Sequence, residues 1–277
     1  MSGNDTNTVR QPCLAALIPA WNPREGLMET LRSISAQPVE CVIFVVDDGS
    51  EPPIELPARM GRMPIRVIRQ DPNRGISAAL NTGLRTILAQ SFEFVARNDC
   101  SDIDHVDRLS LQLAYLRENP DVVLVGSSVR FDTPNHGMQY TFVAPETKAQ
   151  IKKKMHYSAA IVHSSCMFRT EAFRQSGLYS GKYPHAEDYD LFFRLLKDNR
   201  EIRNLPETLV TAAYNPGSVS MSNRRISLMS RLKLQLKYFD PLFAHSYLGI
   251  LQTLGLWLTP YRLVCMLKAK PLARNRS

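Results

Sequence analysis

Three groups of acids along the chain have the types and spacing for chemistry. Asp47 and Asp48 close the run CVIFVVDDGS, and Asp99, Asp102 and Asp104 close FEFVARNDCSDID. Glu187, Asp188 and Asp190 open HAEDYDLFFRLL. Carboxylates crowded at the end of a buried run repel one another and are costly to desolvate. Two kinds of chemistry use such groups. Oxygen-rich sets hold a hard divalent cation, and a desolvated carboxylate becomes a base near neutral pH. Each cluster also has a plainer reading. Asp47-Asp48-Gly49-Ser50 could be a turn alone, since Asp, Gly and Ser form turns. Asp102 or Asp104 could cap the helix that follows. Asp188 or Asp190 could only cap and charge the N-terminus of its helix. Asp99 has less excuse, because it follows an apolar strand directly.

The elements that must position these acids alternate between strand and helix. CLAALIP (Cys13–Pro19) reads as a buried strand. Asn22 then caps a helix, with Pro23 at its first position and Glu25 three after the cap. Leu27, Leu31 and Ile34 form the apolar stripe of that helix. CVIFVV (Cys41–Val46) is the second strand, a Pro-rich loop covers Glu51–Pro64, and IRVIR (Ile65–Arg69) is the third strand. Just after Gly75, Ile76, Ala79, Leu80, Gly83, Leu84, Ile87 and Leu88 share one face at 3.6 spacing. FEFVA (Phe92–Ala96) is the fourth strand. Val106, Leu109, Leu113 and Leu116 mark another helix, and VVLVG (Val122–Gly126) is a fifth strand. This alternation predicts an α/β fold with a mainly parallel sheet and helices on both faces. Ligands of such sheets lie beyond the carboxyl ends of the strands. Asp47/Asp48 and Asp99/Asp102 both sit at such ends.

Composition narrows the class. The 277 residues suit one large α/β domain or two small ones, and an apolar fraction of 44% is ordinary for a globular core. Cys13, Cys41, Cys100, Cys166 and Cys265 are scattered with no C-x-x-C pair, which argues for a reducing compartment rather than disulfides or structural zinc. The start, MSGNDTNTVRQP, has no apolar run of the secretory kind. The net charge is +8 and unevenly placed. After Met221 the only acid is Asp240, and the basic residues are Arg224, Arg225, Arg231, Lys233, Lys237 and five more beyond Tyr261. A basic tail beside apolar helices suggests an anionic membrane surface. Nucleic acid is the weaker reading, because no binding signature and no interleaved stacking aromatics accompany the charge.

Seven segments in order, LIPAWN, VVDDGS, NRGISAALNTGL, ARNDCSDIDHVDRL, MFRTEAFRQSGLY, AEDYDLFFRLL and NPGSVS, resemble family 2 glycosyltransferases of the GT-A fold, over roughly Ala15 to Ser220. The resemblance implies a nucleotide-sugar-binding half (13–130) and an acceptor-binding half (131–222) of a catalytic domain at 13–222. A polar tail at 1–12 precedes it and a helical region at 223–277 follows. It implies that Pro19, Ala20 and Trp21 line a base pocket with Asp47 and Asp48. Arg74 and Asn81 are weaker members of that donor site, for they read equally well as loop and helix-surface residues. Asp99 would grip the ribose, and Asp99 with Asp102 would hold Mg²⁺ or Mn²⁺ on the diphosphate. Asp188 would be the catalytic base with Glu187 beside it. Gly217–Ser220, with Ser218, would close over the diphosphate. The reaction implied is transfer of a single sugar with inversion, since the Q-x-x-R-W motif of processive synthases is absent. The donor would be a UDP-sugar, or a dTDP- or GDP-sugar, and the acceptor a glycan or lipid-linked glycan of the cell surface.

The chain departs from the family pattern twice. Ser101 stands where D-x-D-D has its third acid, and Asn215 stands where many relatives have histidine. Arg224 and Arg225 could then share the work of the cation. A nucleotide-sugar-binding protein without catalysis is the alternative these departures motivate. A nucleotidyltransferase lacks its Gly-rich phosphate loop here, and a nicotinamide oxidoreductase lacks G-x-G-x-x-G. Trp21 reads as core packing or as a base platform. His163 and His185 read as structural, and Cys100 as a spacer beside carboxylates that disfavour its thiolate. In the tail, Leu228, Leu232 and Leu236 predict a helix over Ile226–Tyr238. Pro241–Tyr261 has no charged residue but is modestly apolar for a span. The tail is expected to lie on the cytoplasmic face of the plasma membrane, with packing on the catalytic domain and a true span as alternatives.

Overall fold

The structure is a computed structural model and describes residues 12–23, 26–132, 139–213 and 223–259. Its first strands are β1 (Leu14–Ala20), β2 (Val42–Asp48), the short β3 (Arg59–Met60) and β4 (Met63–Gln70). Helix α1 (Gly26–Ser35) joins β1 to β2, and α2 (Ile76–Leu88) follows β4. Then come β5 (Phe94–Arg97), β6 (Ile103–Asp104), α3 (Arg108–Glu118), β7 (Val122–Asp132), β8 (Gln139–Phe142) and α4 (Lys148–Met155). A 3₁₀ turn at His163–Ser165 leads into β9 (Met167–Arg169), α5 (Thr170–Ser176), α6 (Glu187–Lys197) and β10 (Glu201–Ala213). Two further helices, α7 (Arg224–Lys237) and α8 (Ala244–Leu258), end the described chain.

The strands form one sheet in the order β3-β4-β2-β1-β5-β9-β7-β10-β6, with β8 on the outside of β7. β4, β2, β1 and β5 pair in parallel. β9 runs antiparallel between β5 and β7, and β7 and β10 are parallel to each other. The sheet is therefore mainly parallel, and the carboxyl ends of β1, β2, β5, β7 and β10 share one edge. The boundary at 130/131 runs through β7, so both halves of the expected catalytic domain share this sheet.

Side chains alternate between two cores, as the period of a strand requires. Leu17, Phe44, Val46 and Val95 pack against α2 and α6, through Leu80, Leu84, Ile87, Leu191 and Phe192. Ile18, Ile43, Val45 and Phe94 pack against α1 and α3, through Leu27, Leu31, Ile34, Leu109 and Leu113. The stripe read for α1 is such a buried face, and so is that of α2 from Ala79 to Ile87, while Ile76 is exposed; in the tail helix Leu228 is buried but Leu236 is 58% exposed, and Leu234 is buried instead.

Several local expectations are corrected. Asn22 does not cap α1. It has a left-handed backbone (φ 44°), and its Oδ1 accepts from Glu51 N at 2.9 Å. The pull of that second loop outweighs the local capping pattern. Helix α3 begins at Arg108, later than expected, and Val106 is exposed outside it. Neither Asp102 nor Asp104 caps α3. Asp104 is buried against the Arg108 guanidinium and takes both oxygens to Asn98 Nδ2 (2.9 and 3.0 Å). The N-cap of α6 is Ala186, with no side-chain cap, so Asp188 and Asp190 do not cap it either. Asp190 turns away to Arg194 (2.9 Å) and Lys237 (3.2 Å). Trp21 is 57% exposed and is no part of the core.

Candidate active site

The carboxyl edge of the sheet brings together the ends of β1, β2 and β5, the start of α2 and the start of α6. The first acidic cluster is fully engaged there. Asp47 accepts from Ser50 N (2.9 Å) and Ile54 N (3.1 Å), and it pairs with Arg69 at 2.7 Å. Burial alone would raise its pKa. The bonds from Ser50, Ile54 and Arg69 outweigh that and hold it below the ordinary carboxylate value. Asp48 accepts from Arg74 N and Gly75 N, both at 2.8 Å, and from the Gln70 amide. It thereby ties the loop before α2 to the end of β2. Arg74 itself is exposed at this rim. Asn22 N donates to Ser50 Oγ at 2.8 Å, which locks the loop after β1 onto the loop after β2. Pro19 and the buried Ala20 end β1, with Ala20 in register with Asp47, and the exposed Trp21 follows them.

Asn81 sits one turn into α2 and binds main chain: its Nδ2 donates to Tyr179 O and its Oδ1 accepts from Tyr179 N, both at 2.9 Å. It fixes the segment that leads to α6. Tyr179 in turn bonds His163 Nε2 through its hydroxyl at 2.7 Å. Burial pushes His163 well below its ordinary pKa, so it is a neutral structural group. His185 lies with a left-handed backbone in the turn before α6.

The second cluster is built around a buried cation that sequence reasoning passed over. Arg97 ends β5, is 3% exposed, and its Nη1 lies 2.5 Å from Asp99 Oδ2. Its Nε makes no hydrogen bond. Desolvation disfavours the charged form, yet Asp99 above all holds the guanidinium protonated with its pKa raised. Asp99 is the acid of this group that reaches solvent, at 44% exposure. Asp102 is buried, and its pKa is pushed up to about 7, chiefly by burial and then by Asp99. At the start of α6, burial and the adjacent Glu187 push Asp188 up to about 7 as well. Glu187 is raised by burial. Asp188 Oδ1 accepts from Tyr189 N at 2.7 Å. The same Arg97 charge acts on Asp102, Glu187 and Asp188 and opposes these upward shifts. The acidic motif after β5 and the acidic pair of α6 thus flank one guanidinium.

The turn 99–102 is shaped from α1. Thr30, buried, accepts from Ser101 N (3.0 Å), and its hydroxyl lies 2.9 Å from Asp102 O and 3.3 Å from Asp99 O. Ser101 is left-handed (φ 77°), a conformation in which Asp, Asn and Gly are better tolerated. Its side chain faces α1, where a Cβ on Gly26 would meet Ser101 Oγ at 1.9 Å. Ser101 therefore packs into the scaffold. Cys100, beside it, has its thiol pushed up to about 12 by burial and by Asp99, which agrees with a spacer. Signals for Arg97 and Thr30 were faint: an arginine closing an apolar strand, and a threonine on the inner face of α1.

Among the described residues no three His, Cys, Asp or Glu side chains converge as ligands of a metal ion. Asp99 and Asp102 nevertheless fit the sparser mode in which Mg²⁺ or Mn²⁺ takes one or two carboxylates and completes its shell with water and substrate phosphate oxygens. Ser218, Asn215 and the segment 217–220 lie outside the described residues. Arg224 opens α7, where its Nη2 donates to Leu256 O at 2.5 Å and its Nη1 to Thr259 O at 3.4 Å. It binds the last carbonyls of α8, the negative end of that helix. Arg225 is exposed next to it.

The sequence pattern described as glycosyl transferase family 2 matches residues 15–177, more than half of the chain. The amylovoran biosynthesis glycosyltransferase AmsE of Erwinia amylovora is 29% identical over 218 residues, covering 76% of this chain and 79% of that one. A glycosyltransferase of Haemophilus influenzae is 27% identical over 212 residues, covering 75% and 77%. Among solved structures, TarS 1–349 of S. aureus in complex with UDP-GlcNAc superposes with a TM-score of 0.65 at 18% identity, covering 87% of this chain and 71% of that one. The mannosyltransferase PcManGT of Pyrobaculum calidifontis, in complex with GDP-Man and Mn²⁺, gives 0.61 at 14% identity, covering 97% and 82%. The structural likenesses show the GT-A fold. The chain belongs to glycosyl transferase family 2 and is a glycosyltransferase.

Proposed function

We propose that this enzyme moves one sugar, with inversion, from a nucleotide-diphosphate sugar to a glycan or lipid-linked glycan acceptor. The observation that carries the reading is the buried Arg97, which is paired with Asp99 and whose charge also acts on Asp188 at the start of α6. Asp99 is the solvent-facing carboxylate and Asp188 the one with a pKa near 7. Pro19, Ala20 and Trp21 receive the base, with Asp48 holding the rim that carries Arg74. Asp47 holds the turn beneath them. Asp99 and Asp102 would hold a divalent cation, which would neutralise charge on the departing diphosphate. Asp188 takes the proton of the acceptor hydroxyl. The acceptor oxygen bonds to the anomeric carbon as the bond to the diphosphate oxygen breaks. The electron pair of that bond leaves with the diphosphate. Glu187 keeps Asp188 from ionising too readily, and Ser218 and Arg224 belong to the diphosphate side.

Donor class is supported by the neighbours of the same fold, whose structures hold UDP-GlcNAc, UDP and GDP-Man. A UDP-sugar is the first choice, and dTDP- and GDP-sugars follow. The name of AmsE supports a role in making a surface polysaccharide. The basic C-terminal region supports a working place on the cytoplasmic face of the plasma membrane, where lipid-linked acceptors lie. We assign 13–222 to catalysis and 223–277 to that attachment.

The test is turnover of a panel of UDP-, dTDP- and GDP-sugars, with Mn²⁺, with Mg²⁺ and with chelator, read as donor hydrolysis. Thermal shift follows binding in parallel. The expected result is metal-dependent hydrolysis of one donor class, lost in Asp99→Ala and Asp188→Ala. A protein that neither binds nor turns over any donor would refute the proposal.

A further inference from the structure

Helix α8 is amphipathic in the reverse sense for a helix that only covers its own protein. Its inward stripe is Ser246, Gly249 and Thr253, all small and buried. Its outward face carries Tyr247, Leu248, Leu251, Leu254 and Leu258, with Leu251 64% and Leu258 73% exposed. A surface helix ordinarily turns its leucines toward the core. From Pro241 to Thr259 there is no Asp, Glu, Lys or Arg to solvate that face.

The helix cannot roll to hide it. A Cβ on Gly249 would lie 1.9 Å from His156 O, so this contact admits only glycine. Gln235 Nε2, from α7, donates to His156 O (2.6 Å) and to Gly249 O (3.2 Å). Arg231 of α7 donates to Tyr157 O at 3.0 Å, and Ser230 Oγ to Pro184 O at 2.8 Å. The α7–α8 hairpin is thus clamped to the body by polar bonds, with its leucines held outward.

We propose that the outer face of α8 is a membrane-docking face that lies in the plane of a bilayer surface rich in anionic phospholipid. At about 1.5 Å per residue the helix is roughly 22 Å long, short of the ~30 Å hydrocarbon core. Among the described residues no helix is long and apolar enough to cross a membrane. Tyr247 is exposed among the leucines and Trp257 is 41% exposed in the last turn, and aromatic residues of this kind favour the headgroup level. Charge selects the partner. Residues 260–277, which leave the end of this helix, carry Arg262, Lys268, Lys270, Arg274 and Arg276 and no acid. Each basic residue near such a surface adds to the attraction. A second copy of this chain would bring equal positive charge and does not fit. The inference rests on the membrane-side working place proposed above and names the surface that makes the contact.

The test uses the full chain with phosphatidylcholine vesicles, with and without phosphatidylglycerol. Vesicle sedimentation is measured for the native chain and for L251E/L258E. Emission of Trp257 is followed in a Trp21→Phe background. Binding to the anionic vesicles, a blue shift of Trp257, and at least a tenfold weaker interaction for the double variant are expected. That variant keeps its melting temperature and its hydrolysis of soluble donor. Absence of binding to anionic vesicles, or equal binding by the double variant, overturns the docking face. So does a dimer in light scattering that the double variant abolishes. Donor turnover by the chain with Trp21 intact separates the claims: turnover without vesicle binding removes only the docking face, and vesicle binding without turnover removes only the proposed reaction.

Discussion

The two aspartate clusters at the sheet edge have similar letters and opposite physics. Around Asp47 and Asp48 the carboxylate oxygens are met by main-chain N–H groups, an amide and Arg69. Around Asp99, Asp102 and Asp188 the donors are few, and one buried arginine stands among the acids. Hydrogen bonds to the ionised form stabilise it, while burial beside like charge destabilises it. The first cluster is finished as structure. The second stays incomplete until something with hydroxyls or positive charge arrives. A reactive carboxylate is therefore recognised by what its neighbours fail to satisfy.

The largest effect that sharpens this contrast is on Asp188. Asp188→Asn is expected to lower turnover by about 10²- to 10⁴-fold, the usual share of a general base, with melting unchanged or raised. Turnover within a few-fold of the native chain would remove Asp188 from the chemistry. Next is Arg97→Met, which leaves acids without their counter-charge. Its cost in chemical denaturation should fall at the lower end of the about 3–5 kcal/mol seen when one member of a buried ion pair is removed, because Asp99 reaches solvent. Asp47→Ala breaks the first cluster instead. It strands Ser50 N, Ile54 N and Arg69, with an expected loss of about 2–3 kcal/mol. Its donor binding weakens only through the distorted loop.

A pH titration sets the clusters against each other. Asp102 and Asp188 have folded pKa values near 7, above their unfolded values. The folded state then holds more protons between about pH 4 and 7, and these two acids lower stability as pH rises through that window. Asp47 is depressed. Its contribution is present above its unfolded pKa and is lost as pH falls below about 4. Turnover should rise through pH 7 as Asp188 ionises, opposite to the stability trend, and Asp188→Asn should flatten the turnover profile while leaving the part of the stability slope that belongs to Asp102. The smallest effect is Ser101→Gly. Relief of the left-handed backbone should leave stability within about 1 kcal/mol of the native chain, on the stabilising side if packing on Gly26 is minor.

What could be read from the sequence follows the range of the interaction. Helix α2 was legible because its stripe from Ile76 to Leu88 is set by local periodicity, and the strand ends at Asp48 and Arg97 were marked by the change from apolar to polar. Partners far apart in the chain were not legible. Asn81 read as a surface residue because nothing near it shows its bond to Tyr179, 98 positions away. Thr30 looked like filler on α1, though it shapes the turn at Ser101, 71 positions on. Asn22 looked like a cap because capping residues and turn residues are the same types. Arg97 was seen and not weighed, since a charge at a strand end is usually solvated. The bonds of Arg224 to the end of α8 were equally out of sight, since Leu256 and Thr259 lie more than thirty positions on.

The measurement that bears most directly on the contrast is a titration of the aspartate side-chain carboxyl carbons by NMR, in protein labelled at aspartate and assigned with Asp47→Asn, Asp102→Asn and Asp188→Asn. The account predicts that Asp47 stays ionised to below pH 4 while Asp102 and Asp188 titrate near 7. Ordinary values near 4 for Asp102 and Asp188, or a raised value for Asp47, would contradict it.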